Sequence, residues 1–312
     1  MVAVGYGGPE QLEVRDHDPG RPGEGQVLVE VRAIGVNAWD VKSYSGTVGN
    51  DPDKLPILLG GECAGVVLAG ALPAGDEVIV HPVSAAYADR VVAKVTGCVP
   101  KPAGLPWEEA AGLMLTGTAA AHLVAAAGVA DGETVLLNGA AGGVGLYAAQ
   151  LARHRGARVL GTAMPGDHDV LRAMGVEPFD FREDVRGWVG ELAPDGVDAV
   201  LDAVGAPPVL DLSLAVAKDK GRVATLIPSP AAAERGITQL GFGEGADPGT
   251  ELRAAARFDL VAGIEEGWLK VVVAETYPLE RAADAHRAMV APDHGAGKIV
   301  LVPSVLSAGS AH

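Results

Sequence analysis

The run Gly139-Ala140-Ala141-Gly142-Gly143-Val144-Gly145 carries the plainest chemistry in the sequence. Residues with little or nothing at Cβ let a backbone approach a pyrophosphate, and the free N–H groups at a helix start, at the positive end of its dipole, face an anion. The spacing Ala140-x-Gly142-x-x-Gly145 follows the dinucleotide fingerprint with alanine in place of the first glycine. Glycine clusters also serve close helix packing, so the flanking elements must decide between the two readings.

Those elements favour the anion. Residues 134–138 (TVLLN) are a short aliphatic and β-branched run between Gly132 and Gly139, the pattern of a strand buried on both faces of a parallel sheet. Leu146, Ala149, Leu151 and Ala152 then recur at helical spacing until Gly156 supplies a stop, and 158–162 is again short and aliphatic. Strand, glycine turn, helix and strand together open a dinucleotide-binding half-sheet. Further strands at 197–202 and 222–226 alternate with helices at 168–174 and 209–217, which predicts a doubly wound parallel sheet.

Upstream, strands at 27–31, 63–68, 76–80 and 89–93 lie between turn signals such as Pro22-Gly23 and Pro73-Ala74-Gly75, predicting an all-β domain, a small barrel. The character changes at Leu105-Pro106-Trp107-Glu108-Glu109, after which 110–127 is alanine-rich and helix-prone. Downstream of the sheet, 237–242 reads as an edge strand, 249–266 as an amphipathic helix and 269–274 as a strand. Residues 278–289 read as a helix with Leu279, Ala282, Ala283 and His286 on one side, and 298–302 as a last strand.

A chain of 312 residues with 48% hydrophobic content has room for two domains and a sizeable core. The net charge of -16 argues against nucleic acid as a partner. Cys63 and Cys98 make neither a disulfide framework nor a CxxC pair, and both are expected to be buried and inert. No basic-then-apolar leader opens the sequence, and the apolar stretch 55–75 is broken by Pro56, Glu62 and Pro73. The expectation is a cytoplasmic protein without a membrane segment.

Residues 31–40 (VRAIGVNAWD), 59–67 (LGGECAGVV) and 115–119 (LTGTA) lead to the glycine turn at 138–145. Beyond it come 201–205 (LDAVG) and a tail running from 277–280 (YPLE) through Ala285-His286 to 297–301 (GKIVL). In this order the series resembles the medium-chain dehydrogenase/reductase superfamily, and within it the zinc-free quinone oxidoreductase group that includes zeta-crystallin. The Ala-x-Gly-Gly-Val-Gly form of the turn is common in that group. The resemblance implies an α/β protein with a doubly wound Rossmann parallel sheet over 109–267. A discontinuous GroES-like β-barrel domain would span 1–108 and be completed by 268–312, with the nicotinamide in the cleft between the two.

Zinc in the superfamily takes a Cys near the Gly35-Val36 turn, a His beside the glutamate of the next motif, and a further Cys or carboxylate. The first two places hold Asn37 and Gly61, so no metal is expected, and Glu62 is read as a partner for a backbone N–H or an arginine. The resemblance further implies Asn37, Asp40, Lys42 and Tyr44 as catalytic candidates. Asn37 either orders the backbone or bonds the substrate, and Asp40 either does chemistry or caps a helix beginning at Val41. Lys42 and Tyr44 are the polar groups able to give a proton, Lys42 standing where related reductases often carry Tyr; water is the alternative donor. The cofactor candidates are Thr118, Gly139, Ala140, Gly142, Gly143, Val144, Gly145, Thr162, His168, Arg172, Val204, Gly205 and Lys298.

The second strand ends in Thr162, Ala163 and Met164 without the acid that binds the ribose hydroxyls of NAD. His168 falls where related NADP enzymes often carry Lys, with Arg172 and Arg182 beyond it, and Phe181 takes the place of a tyrosine beside the adenine. NADPH is therefore the expected cofactor, although Asp167 and Asp169 have the wrong sign for a phosphate. The leading expectation is a zinc-independent, NADPH-dependent reductase of quinones or α,β-unsaturated carbonyls. A trans-acting enoyl reductase and a non-catalytic NADPH-binding protein are the alternatives. A homodimer is expected by resemblance and because an exposed 237–242 edge would pair with its copy.

Overall fold

In a computed structural model, which describes residues 1–291 and 295–304, the run Thr134–Asn138 forms a buried inner strand of a six-stranded sheet. In chain order the strands are Thr134–Asn138, Arg158–Ala163, Glu177–Asp180, Ala199–Asp202, Val223–Thr225 and Thr238–Gln239. Their spatial order is 3-2-1-4-5-6, all parallel. That is the doubly wound Rossmann order, with its topological switch point between Thr134–Asn138 and Ala199–Asp202. Leu136, Leu160, Val200 and Val223 on the strands meet Val185, Val189, Leu210 and Ala232 from the helices in one apolar cluster.

Of the described residues, 1–115, 273–291 and 298–304 form one compact unit, and 116–272 with 295–297 form another. The first unit holds a seven-stranded sheet of mainly antiparallel pairs. Its long strand Gln26–Gly35 alternates buried and half-buried residues, as one-sided burial requires, and ends in three buried positions. The tail strand Lys298–Val302 pairs with it antiparallel, Val300 opposite Gly35 and Leu301 opposite Ile34. The tail therefore completes the amino-terminal sheet.

Several elements differ from the expectation for identifiable reasons. The 110–127 helix is two helices, Trp107–Ala111 and Met114–Ala126. In the first turn of the second helix the Leu115 N–H donates to Glu62 Oε2 at 2.8 Å. The helix expected from Val41 begins at Ala38 with Asn37 as its cap. Residues 269–272 are not strand, because the Lys270 backbone is paired by the Gln150 side-chain amide at 2.8 and 3.0 Å, and the strand is Val273–Pro278 instead. The strand Glu177–Asp180 and the helix Val185–Leu192 were not anticipated. The first is short and contains Pro178; the second announces itself through Asp184, whose side chain accepts the Gly187 N–H.

The edge strand exists but is only Thr238–Gln239, and its outer side is occupied. Asp247 N–H donates to Gln239 O at 2.9 Å and Gly241 N–H to Asp247 O at 2.7 Å. The open-edge argument for a dimer therefore fails at these residues, since their own loop satisfies the edge groups. No helix among the described residues is long and apolar enough to cross a membrane.

Candidate functional site

In the nucleotide unit the chain leaves Asn138 and turns through Gly139 at φ +76°. Gly139 N–H donates to Thr162 Oγ1 at 3.3 Å and Ala140 N–H to Thr162 O at 2.9 Å, which ties the turn to the end of the second strand. Gly142 caps the helix Gly143–His154, whose first intrahelical bond runs from Leu146 N–H to Gly142 O at 3.0 Å. The N–H groups of Gly143, Val144 and Gly145 precede that bond and form the positive end of a 12-residue helix. A Cβ at Gly145 would collide with the Gly139 carbonyl, so glycine is required for the helix to start this close to the turn.

Across the switch point, Asp202 is fully buried and holds the loop that follows it. Its carboxylate accepts Val204 N–H at 3.2 Å, Gly205 N–H at 2.9 Å and Thr225 O–H at 2.6 Å. Burial pushes this carboxyl up and the three hydrogen bonds oppose the shift. Gly205 has φ +72° and Val204 is exposed. The anticipated residues Gly139, Ala140, Gly142, Gly143, Val144, Gly145, Thr162, Val204 and Gly205 thus come together around one crevice, where open α/β sheets bind nucleotides. This cradle fits a dinucleotide. Thr118 lies buried in the helix Met114–Ala126. Arg172 is exposed and paired with Asp169 at 2.9 Å.

The barrel unit holds a buried polar chain. Lys298 Nζ, 3% exposed, donates to Val36 O at 3.0 Å, Asn37 Oδ1 at 2.6 Å and Glu62 Oε1 at 3.0 Å. An ammonium has three donors, so these three acceptors saturate it. Asn37 Nδ2 donates to Gly35 O at 3.1 Å and to Glu62 Oε1 at 3.0 Å. Gly35 must be glycine here, because a Cβ would meet the Glu62 carboxylate and the Ala111 carbonyl. Burial alone would raise the Glu62 carboxyl. The charges of Lys298 and His81 and the bonds from Leu115 and Asn37 outweigh it and bring the group below its ordinary value.

The chain continues through Asp40, whose Oδ2 accepts Asn37 N–H at 2.8 Å and Tyr87 O–H at 3.2 Å. With its proton given to Asp40, Tyr87 must accept from His286 Nε2 at 2.9 Å, which leaves His286 Nδ1 to accept Tyr44 O–H at 2.8 Å. A neutral imidazole satisfies this order, and burial depresses His286 to about 4. Burial pushes Asp40 up to about 7, with the Asn37 N–H and the Lys298 charge opposing it.

Lys298 and Tyr44 therefore have partners that the sequence did not suggest, and Asn37 and Asp40 take the structural one of the two roles open to each. Lys298, expected on the cofactor, spends every donor inside the barrel unit. Tyr44 is fully buried with its hydroxyl on His286, and Asn37 and Asp40 are buried anchors of the helix Ala38–Tyr44. Lys42 faces outward, one turn from Trp39, which is 45% exposed. Tyr87 and His286 escaped sequence reasoning as members of the chain. A histidine sharing a face with Leu279 and Ala282 was the available signal.

Residues 23–137 match the family described as alcohol dehydrogenase GroES-like domain, and residues 177–301 the family described as zinc-binding dehydrogenase. The quinone oxidoreductase of Homo sapiens is 34% identical over 319 residues, covering 95% of each chain. The solved structure of mycobacterial Rv1454c complexed with NADPH superimposes with a TM-score of 0.84 at 29% identity, over 97% of this chain and 98% of that one. The CurK enoyl reductase does so with 0.84 at 27% identity, over 97% and 98%. The residues present do not fit the zinc in the second family description. Both oxygens of Glu62 are already engaged, Cys63 lies in the apolar cluster with its thiol pushed up by burial, and no metal-holding group of His, Cys, Asp or Glu occurs among the described residues.

Proposed function

The chain belongs to the medium-chain dehydrogenase/reductase superfamily, in its quinone oxidoreductase group, and we propose that it reduces a quinone or an α,β-unsaturated carbonyl with NADPH and without a metal. The observation that carries this reading is the Lys298–Glu62 pair at 3.0 Å. Its ammonium already neutralises the one carboxylate that survives from a metal-type motif. An acceptor reduced without a Lewis acid must be polarised by its own conjugated carbonyl, as enones and quinones are.

Bound NADPH supplies the hydride. The N–H groups of Gly143, Val144 and Gly145 hold the pyrophosphate, Thr162 fixes the turn, and Asp202 fixes Val204 and Gly205. In the barrel unit, Asn37, Asp40 and Tyr44 lock the buried face of their helix, so the outward Trp39 and Lys42 inherit a fixed position. Trp39 offers a ring face to a planar acceptor, and Lys42 offers a proton to the oxyanion that hydride addition creates.

Following NADPH absorbance against quinones, short enones and enoyl thioesters tests the reading. Oxidation by a quinone or enone that persists in a metal chelator is expected. Turnover of thioesters alone would make the chain an enoyl reductase. Cofactor binding with no oxidation by any acceptor would refute catalysis.

A further inference from the structure

The helix Ala38–Tyr44, which carries Trp39 and Lys42, is only seven residues long. Two turns of helix do not hold themselves in water, so their place is set by what the buried side chains reach. Asp40 and Tyr44 are those side chains, four residues apart and therefore on one face. Trp39 and Lys42 are exposed. Both buried arms lead to one residue near the other end of the chain.

That residue is His286, fully buried on the tail helix Ala282–Val290, whose Ala282 and Ala285 belong to the apolar cluster of the barrel unit. Its Nδ1 accepts the Tyr44 O–H at 2.8 Å and so fastens the last turn of the short helix. Its Nε2 donates to the Tyr87 hydroxyl oxygen at 2.9 Å, and the Tyr87 O–H donates to Asp40 Oδ2 at 3.2 Å, which fastens the first turn. The Tyr44 ring stacks on the imidazole at 16° and the Tyr87 ring meets it edge-on at 66°, each with centroids 5.7 Å away. A neutral imidazole offers an acceptor and a donor on opposite edges of one rigid ring, whereas an amide side chain carries both at one end. Histidine therefore suits two hydroxyls that approach from different sides.

Resting on the reading of the chain as a reductase whose acceptor meets Trp39 and Lys42, we propose that His286 and Tyr87 are positioning residues for that reaction. Together they hold the short helix at both of its turns, and so set where the Trp39 ring and the Lys42 ammonium stand. His286 has no nitrogen left for a substrate, because both are engaged inside the barrel unit. Its effect reaches the acceptor only through Tyr44, and through Tyr87 and Asp40.

The test separates position from stability. In the full-length triple variant Tyr44→Phe, Tyr87→Phe, His286→Leu, apolar groups replace all three partners, so none of the three leaves another unpaired in the core. Its thermal melt should stay close to that of the wild type, and its NADPH affinity in fluorescence titration should be unchanged, since the glycine turn is untouched. Its kcat/KM for a quinone should nevertheless fall at least roughly tenfold, the cost of a small misplacement of reacting groups. A role in stability alone would leave the folded protein's rate intact, so a triple variant within about twofold of wild-type kcat/KM would overturn the proposal. An equal loss of NADPH affinity would overturn it as well, as damage to the whole fold. If the triple variant does not fold, the single variants Tyr44→Phe and Tyr87→Phe, each short of one oxygen, decide. Each should lose several-fold in kcat/KM with NADPH affinity kept, and wild-type rates in both would overturn the proposal. A wild type that oxidises NADPH with no acceptor would instead overturn the reductase reading beneath it.

Discussion

Lys298→Met takes the cation from a carboxylate that has no contact with water. Methionine keeps most of the apolar stem, so the change is one of charge and hydrogen bonding. At 3.0 Å and an effective dielectric of about 20, the lost attraction is on the order of 5 kcal/mol. Removing one partner of a buried pair costs about 3–5 kcal/mol. Glu62 retains the Asn37 amide at 3.0 Å and the Leu115 N–H at 2.8 Å, whereas Val36 O and Asn37 Oδ1 lose their donor. The expected loss is about 4 kcal/mol at pH 7, read by urea unfolding followed by circular dichroism, with Tm lower by roughly 10 °C. Adding Glu62→Gln should recover about 2 kcal/mol, because an amide needs no counter-ion. The folded Glu62 carboxyl lies below its ordinary 4.5. The pair therefore stabilises fully above that value and is lost as pH falls through the folded one, so the penalty of Lys298→Met should shrink as acid protonates the orphaned carboxylate. A loss below about 1 kcal/mol at pH 7, or a double variant no better than Lys298→Met, would refute the assignment of Lys298 as the internal counter-ion.

Asp40 has the opposite sign. Its carboxyl is raised from 3.8 to about 7, so between those values the folded state keeps a proton the unfolded state has lost, and stability falls as pH rises. Asp40→Asn should remove that slope and be the more stable protein at pH 8, by on the order of 3 kcal/mol in urea melts. An unchanged slope would show that Asp40 is ionised when folded. Gly145→Ala places a methyl against the Gly139 carbonyl and should weaken NADPH binding by at least roughly tenfold in fluorescence titration; wild-type affinity would place the pyrophosphate elsewhere. Trp39→Ala should lower kcat/KM for aromatic quinones several-fold more than for short enones, since only a planar ring gains from stacking. Equal losses on both acceptors would remove Trp39 from the recognition of the acceptor.

The nucleotide unit was legible because its signals are local. A strand buried on both faces must be aliphatic, a helix that opens on an anion must expose early N–H groups, and a tight turn must use glycine, so 134–162 announces its structure within a few dozen residues. The missing acid after Leu160-Gly161 was equally plain. Short elements such as Glu177–Asp180 were not, because four residues with a proline carry no period, and Lys270 was misread because a distant glutamine side chain does the work of a neighbouring strand.

The polar chain of the barrel unit lay beyond the sequence for the same physical reason. Asn37, Asp40 and Glu62 stood in recognisable motifs, but a motif records which groups are present and not which are paired. Lys298 is 236 positions from Glu62, and His286 is 199 from Tyr87. By itself the sequence determined the doubly wound sheet, the turn that cradles an anion and the absence of the expected zinc donors at Asn37 and Gly61. Only the tertiary structure decided that the tail lysine is a buried counter-ion rather than a cofactor ligand, and that the Tyr44 hydroxyl is turned inward. Hydrogen bonds and charge pairs are settled by which atoms the folded chain brings within about 3 Å, and that distance is not written in spacing along the chain.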